Sequence, residues 1–175
     1  MLDCDFLAHE LMSKGRSVYR KVVEYFSDGI LAADGEIDRT KLGRKIFSDP
    51  QARETLNRLV HPAVIESAGN WIKECREAQE DAAVLVPLLF EAEWTEGWDA
   101  VICITAPEDQ VVRRLEKRGL PEAEAMKRIR AQMPQAEKAS RADFVIENGG
   151  TPDALRCRTV NLIEEIRCQK RKSYE

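Results

Sequence analysis

Ala100-Val101-Ile102-Cys103-Ile104-Thr105 decides the fold class of this chain. It is an apolar run of strand length, rich in β-branched residues, without the polar alternation of a strand that has one face in water. Ala82 to Val86 is a second run of this kind, and Phe144-Val145-Ile146 is a third, shorter one. Helical segments separate and flank them. Pro107 to Lys117, Pro121 to Met133 and Pro134 to Arg141 each carry a proline near the start, where the missing N–H costs nothing. Pro152 to about Lys170 reads as a closing helix. Upstream, Leu2-Asp3-Cys4-Asp5 leads into the helical Phe6-Leu7-Ala8-His9-Glu10-Leu11-Met12. Ser17 to Phe26 carries Val18, Val22, Tyr25 and Phe26 at helical spacing, with Gly29 as a stop, and Ala33-Asp34-Gly35 is a turn. Arg39 to Phe47 and Pro50 to Val60 read as two short helices divided by Ser48-Asp49-Pro50. His61-Pro62 is expected to break the chain before a long helix reaching about Gln79. Strands alternating with helices predict an α/β fold whose parallel sheet is covered on both faces.

The 175 residues suit a single domain, 1–175, able to bury a proper core. Its regions divide as a helical part at 6–80, core strands within 82–112, a basic helical part at 113–142, and a C-terminal strand and helix at 143–175. A net charge of −4 argues against a general nucleic-acid binder. No stretch approaches the roughly 20 apolar residues of a membrane span, and no secretory leader is recognisable. Cys4, Cys75, Cys103, Cys157 and Cys168 are odd in number and scattered, without C-x-x-C. They read as reduced thiols of a cytoplasmic protein, not as a zinc site.

Three constellations can carry chemistry. Asp3 and Asp5 stand where a strand ends and a helix begins. Carboxylates at the carboxyl end of a parallel strand face the ligand crevice, where they can take a proton or hold Mg²⁺. Equally, one of them can simply cap the helix. Val86-Pro87-Leu88-Leu89-Phe90-Glu91 is an apolar turn after a strand, suited either to core packing or to lining a pocket for an extended, partly apolar substrate. Arg113 to Arg141 holds nine basic and four acidic residues, a local +5 in a chain whose remainder is then −9. Arg114 and Arg118 stand four apart on one helix face. Grouped guanidinium groups suit polyphosphate, although a solvated helical hairpin would look the same. Trp71, Trp94 and Trp98 read as packing residues, and Asn148-Gly149-Gly150 as a turn that can also contact a base.

Taken in order, these pieces resemble the dephospho-coenzyme A kinase family. The matching residues are Leu2-Asp3-Cys4-Asp5 with His9-Glu10-Leu11, Ala33-Asp34-Gly35-Glu36-Ile37-Asp38, Ile46-Phe47-Ser48-Asp49-Pro50 and Leu59-Val60-His61-Pro62. They continue with Val86 to Glu91, Arg128-Ile129-Arg130-Ala131-Gln132-Met133-Pro134, and Ala142-Asp143-Phe144-Val145-Ile146-Glu147-Asn148-Gly149. The resemblance implies a P-loop nucleotide kinase-like α/β fold, with a parallel sheet flanked by helices and a helical lid. It implies transfer of the ATP γ-phosphate to the ribose 3′-hydroxyl of dephospho-coenzyme A, the last step of coenzyme A synthesis, with Mg²⁺. Asp5 matches the base and helps place Mg²⁺. Asp3, His61, Pro62, Pro87, Leu88 and Leu89 match the acceptor side. Arg114, Arg118, Gln132 and Lys138 match the lid, and Asn148 the loop near the adenine of ATP. Gln135 stands where relatives often carry a basic residue, so one phosphate contact is expected to be missing.

One departure is large. The family places G-x-x-x-x-G-K-[ST] about 30 residues before its Asp-x-Asp, and no two of the nine glycines here fit that spacing with a following Lys. That loop cradles the phosphates and its Ser/Thr holds Mg²⁺. A missing strand with a few large buried side chains forfeits on the order of 5–9 kcal/mol, comparable to a domain's whole stability. The chain as given is therefore expected to be marginally folded and inactive, its first segment lost to a mis-assigned start or a truncation. Two further readings stay open: a non-catalytic relative that keeps the acceptor pocket and lid, and a different P-loop nucleotide kinase.

Overall fold

A computed structural model describes residues 1–172, with side chains through Gln169; residues 173–175 of the C-terminal region lie outside the described residues. The chain divides into two compact units, Met1–Ala92 and Glu93–Glu175.

In the first unit β1 (Leu2–Asp3) pairs in parallel with β2 (Val84–Leu85), Leu2 opposite Val84 and Asp3 opposite Leu85. Helix α1 (Cys4–Leu11) starts at once. It can do so because Asp3 is its N-cap: Oδ1 accepts from the backbone N–H of Asp5 at 2.9 Å and of Phe6 at 3.2 Å. Two of the four N–H groups that a helix start leaves unbonded are thereby satisfied. Helix α2 (Ser17–Phe26) buries Val18, Val22 and Phe26 on one face. It spans the residues expected from sequence and ends at Ser27, with φ 61°, two residues before Gly29. A short 3-10 turn over Asp28–Ile30 follows, with Ile30 fully buried. Leu31 and Ile37 then form an antiparallel bridge around the predicted Ala33-Asp34-Gly35 turn. Lys14 Nζ donates to Asp34 O at 2.9 Å and the Tyr19 hydroxyl to Gly35 O, strapping that turn to the α1–α2 connection.

Helices α3 (Arg39–Ser48) and α4 (Pro50–Glu77) are capped by Asp38 and Asp49, whose carboxylates each accept two backbone N–H groups. Helix α4 is the spine of this unit. Ala52, Leu56, Val60, Val64 and Ala68 recur every fourth residue and are all buried, and α1, α2 and α3 pack against the helix. Here the structure corrects the sequence reading: His61-Pro62 breaks nothing, and Pro62 lies inside a continuous 28-residue helix. Proline inside a helix costs about 3 kcal/mol through one lost hydrogen bond and a ring clash. Val60 and Val64 flank it on the buried stripe, while Pro62 itself faces solvent, where water can serve the freed Arg58 carbonyl. Burial of the stripe outweighs the local defect.

In the second unit β3 (Ile102–Thr105) and β4 (Phe144–Glu147) pair in parallel, from Ile102 opposite Phe144 to Thr105 opposite Glu147. A parallel pair needs a crossover, and α5 (Glu108–Lys117), α6 (Glu122–Arg130) and α7 (Gln135–Arg141) supply it, with α8 (Pro152–Lys172) after β4. Pro107, Pro121 and Pro134 hold the N-cap positions. The parallel α/β character expected from sequence is present, as two two-stranded sheets. Their strands are not covered on both faces, as the unbroken apolar runs had suggested. Ile104 and Val145 are each 51% exposed while Ile146 is buried, because a two-stranded ladder has too few neighbours to shield both faces.

Both histidines of the chain titrate below their ordinary value of 6.5, His61 through burial on α4, His9 through burial first and then the Arg39 guanidinium. A group whose folded pKa is lowered stabilises the fold above its unfolded pKa and loses that contribution as pH falls. The melting temperature is therefore expected to decline as pH drops below about 6.5, and His61→Gln to flatten that slope; a slope unchanged by His61→Gln would contradict the burial of His61. Pro62→Ala is expected to raise stability by about 1–3 kcal/mol in thermal or urea unfolding, since it restores an N–H and removes the ring clash. A lower melting temperature would show that the proline packs against a partner the exposed position does not reveal.

Candidate functional site

Parallel register brings the first set of residues together. Asp3 lies opposite Leu85, so Cys4-Asp5 and Val86-Pro87 leave the same carboxyl edge of one strand pair. Asp5 stands exposed in the first turn of α1, its own N–H held by the Asp3 cap. Asp3 thus does what the alternative reading assigned to it: it caps. Cys4 between them is buried, and burial, with Asp3 and Asp5 adding to it, pushes its thiol up to about 11. At neutral pH it is an uncharged thiol packed in the interior. All five cysteines are free. Pro87 is exposed, Leu88 and Leu89 are half-buried, and the segment closes on buried Phe90, with Ala92 N donating to Leu88 O at 2.9 Å. It thereby offers apolar surface just past the end of β2 while remaining anchored.

Two residues of this neighbourhood were not singled out from sequence. His9 follows Asp5 by four positions on α1, one turn along the same face. Asp5 and Asp3 favour its protonated form, but burial and Arg39, the first residue of α3, outweigh them. The i,i+4 spacing of Asp5 and His9 was legible in the sequence; the approach of Arg39, 30 residues further on, was not. His61 lies half-buried and Pro62 exposed near the middle of α4, the helix against which α1 packs.

The second unit builds its polar cluster at the carboxyl edge of β3 and β4. Thr105 lies opposite Glu147, and Asn148 N donates to Thr105 O at 2.6 Å. The Arg114 guanidinium donates through Nη2 to Asn148 O at 2.8 Å, with a longer contact to Asn148 Oδ1 at 3.4 Å. Arg114 and Asn148, chosen separately from sequence, are thus direct partners. Arg118 caps the end of α5 and is exposed, and Gln132 is exposed in the turn between α6 and α7. Lys138 on α7 lies near the Cys103 thiol, whose pKa burial raises and Lys138 lowers, burial prevailing. Gln135 uses its side chain like a strand edge: Oε1 accepts from Ala106 N at 2.8 Å and Nε2 donates to Ala106 O at 3.0 Å. The position read as a lost phosphate contact pins α7 to the end of β3.

Carboxylate and apolar turn at one edge, guanidinium and backbone loop at the other, each at the carboxyl end of parallel strands, match how α/β proteins place ligands. The protein-family model described as dephospho-CoA kinase matches residues 1–153. The dephospho-CoA kinase of Carboxydothermus hydrogenoformans is 37% identical, covering 94% of this chain and 81% of that protein. That of Geobacter sulfurreducens is 42% identical over 95% of this chain and 83% of the relative. Among solved structures, dephospho-CoA kinase from Campylobacter jejuni superposes with a TM-score of 0.65 at 26% identity. A crystal structure from Thermus thermophilus superposes at 0.72 and 31%; each covers 94% of this chain and 83% of the other. The chain therefore belongs to the dephospho-CoA kinase family.

Proposed function

We propose that this chain supplies the acceptor side, base and lid for phosphorylation of the ribose 3′-hydroxyl of dephospho-coenzyme A by ATP, the last step of coenzyme A synthesis. The observation that supports the reading is the Asp3–Leu85 register, by which Asp5, a proton acceptor, and the apolar turn Pro87-Leu88-Leu89 both follow the same carboxyl edge. In the reaction the 3′-oxygen attacks the γ-phosphorus, the bond from that phosphorus to the ADP oxygen breaks, and the hydroxyl proton passes to Asp5. The Asp3 cap fixes the backbone from which the exposed Asp5 carboxylate projects. Leu88, Leu89, His61 and Pro62 offer the half-buried and apolar contacts that an extended pantetheine arm would take. Arg114 and Asn148 serve the nucleotide, and Arg118, Gln132 and Lys138 the lid.

Among the described residues no group of three or more His, Cys, Asp or Glu could hold a metal ion by itself. Mg²⁺ bound with nucleotide takes one or two carboxylates and otherwise phosphate and water, so an exposed Asp5 fits it, with Asp3 half committed to its cap. When bound, the ion would neutralise charge on the phosphates. Free thiols throughout support a reducing, cytoplasmic setting, and among the described residues no helix is long and apolar enough to cross a membrane.

These 175 residues contain no G-x-x-x-x-G-K-[ST], so we propose that the chain alone binds acceptor but does not turn over. Calorimetric titration is expected to show dephospho-coenzyme A binding; no heat at millimolar ligand would remove the acceptor assignment. A coupled assay is expected to show phosphorylation only when a phosphate-binding segment is joined ahead of Met1, and turnover by the chain alone would refute its dependence on that motif. In the joined enzyme, Asp5→Asn should lower kcat by roughly 10²–10⁴-fold, the usual worth of a positioned base, with KM for ATP little changed. An unchanged kcat would take the base role away from Asp5.

A further inference from the structure

The nucleotide side contains a residue that neither the motif reading nor the family resemblance selected. Pro107, Gln110 and Arg114 are spaced three and four apart, so they share one face of α5 and its N-cap. All three meet the loop that follows β4. Gln110 Nε2 donates to Gly149 O at 3.0 Å, and Gln110 Oε1 accepts from Arg114 Nη2 at 3.2 Å. Arg114 Nη2 in turn donates to Asn148 O. Pro107 closes the third side: a Cβ built on Gly149 would lie 3.3 Å from Pro107 Cδ and only 2.7 Å from Glu147 Oε1. Gly149 is therefore wedged, with no room for a side chain unless Glu147 moves. From below, Asn148 N is bonded to Thr105 O.

Two successive carbonyls, those of Asn148 and Gly149, are thus each held by a different side chain of the same helix, and Gln110 joins both bonds. The Gln110 amide donates to Gly149 O through Nε2 and accepts from Arg114 through Oε1 at once, without carrying a charge. A carboxylate could keep the arginine but would repel the carbonyl; an aliphatic side chain would lose both. The cluster is half-buried, so water only partly replaces a lost bond.

We propose that Gln110 is a positioning residue for nucleoside recognition, holding Arg114 and the Asn148–Gly149 loop in the one arrangement that presents the loop to the base. The proposal rests on the nucleotide role given above to Arg114 and Asn148. Gln110 acts through them and touches no reacting atom.

Adenosine is the suitable probe, because it has no phosphates and so does not call on a phosphate-binding loop. In an amide-resolved NMR titration of the 175-residue chain, adenosine is expected to shift the Asn148, Gly149 and Gly150 signals. Gln110→Leu is expected to weaken that response roughly 5- to 30-fold, the worth of the two half-buried hydrogen bonds it removes, and Gln110→Glu to fall between Leu and wild type, a partial rescue through the retained Arg114 bond. Guanosine in parallel is expected to lose less, so the adenosine preference narrows, which a general loosening of the unit would not produce. If adenosine leaves these three amides unmoved in the wild-type chain, the nucleotide reading of the loop fails and the proposal with it. If they move equally in wild type and Gln110→Leu, the reading stands and the positioning role is overturned. Should Gln110→Leu fail to fold, Gln110→Glu decides alone: wild-type affinity for adenosine would refute the proposal.

Discussion

Parallel strand register is the constraint on which the rest of this structure depends. Pairing Asp3 with Leu85 and Thr105 with Glu147 fixes which backbone atoms emerge together at a carboxyl edge. Strand pairing leaves no freedom of a single residue, since a one-residue slip would turn every side chain to the opposite face. In the first unit the register sends Cys4-Asp5 and Val86-Pro87 out of the same carboxyl edge; in the second it sets Ala106-Pro107 beside Asn148-Gly149. The chemistry of each unit follows from what the next two or three residues happen to be.

Short polar bonds then convert register into rigid geometry. Asp3, Asp38 and Asp49 each satisfy two helix-start N–H groups with one carboxylate. Each helix therefore begins at a defined residue, with half of its open N–H groups satisfied. In the second unit side-chain amides do comparable work. Gln135 occupies both backbone groups of Ala106, and Gln110 bridges Gly149 and Arg114. Neutral amides suit such places because they donate and accept without the desolvation cost of a charge. Where a charge is half-buried instead, as at His9 and His61, the neutral form is favoured.

The two units differ in how their stability is arranged. The first has a continuous buried stripe along α4, with Val18, Val22, Phe26, Ile30 and Leu42 from other elements closing over it. The second buries Ala106, Ala125 and Ile146 but leaves Ile104 and Val145 half in water. Its order leans more on backbone pairing and on side chain to backbone bonds, which lie at the edge that the proposed chemistry uses. Elements held mainly by such bonds open more readily than packed cores, which suits a region assigned to a lid.

Much was legible in the sequence by itself. Apolar runs without alternation marked three of the four strands, and prolines marked the starts of α4 to α8, because local sterics and hydrogen-bonding capacity act within a few residues. The ordered set of motifs, from Leu2-Asp3-Cys4-Asp5 to Asn148-Gly149, carried the family resemblance. Tertiary structure decided what depends on partners distant in the chain. Pro62 stays inside α4 because buried neighbours outweigh one lost bond, and a propensity rule cannot weigh that burial. Arg39 reaches His9, Arg114 meets Asn148, and Gln110 meets Gly149 only after strand register and helix packing have closed loops of 30 to 40 residues. Residue types state what each group is able to do; which group it does it with is set by the fold.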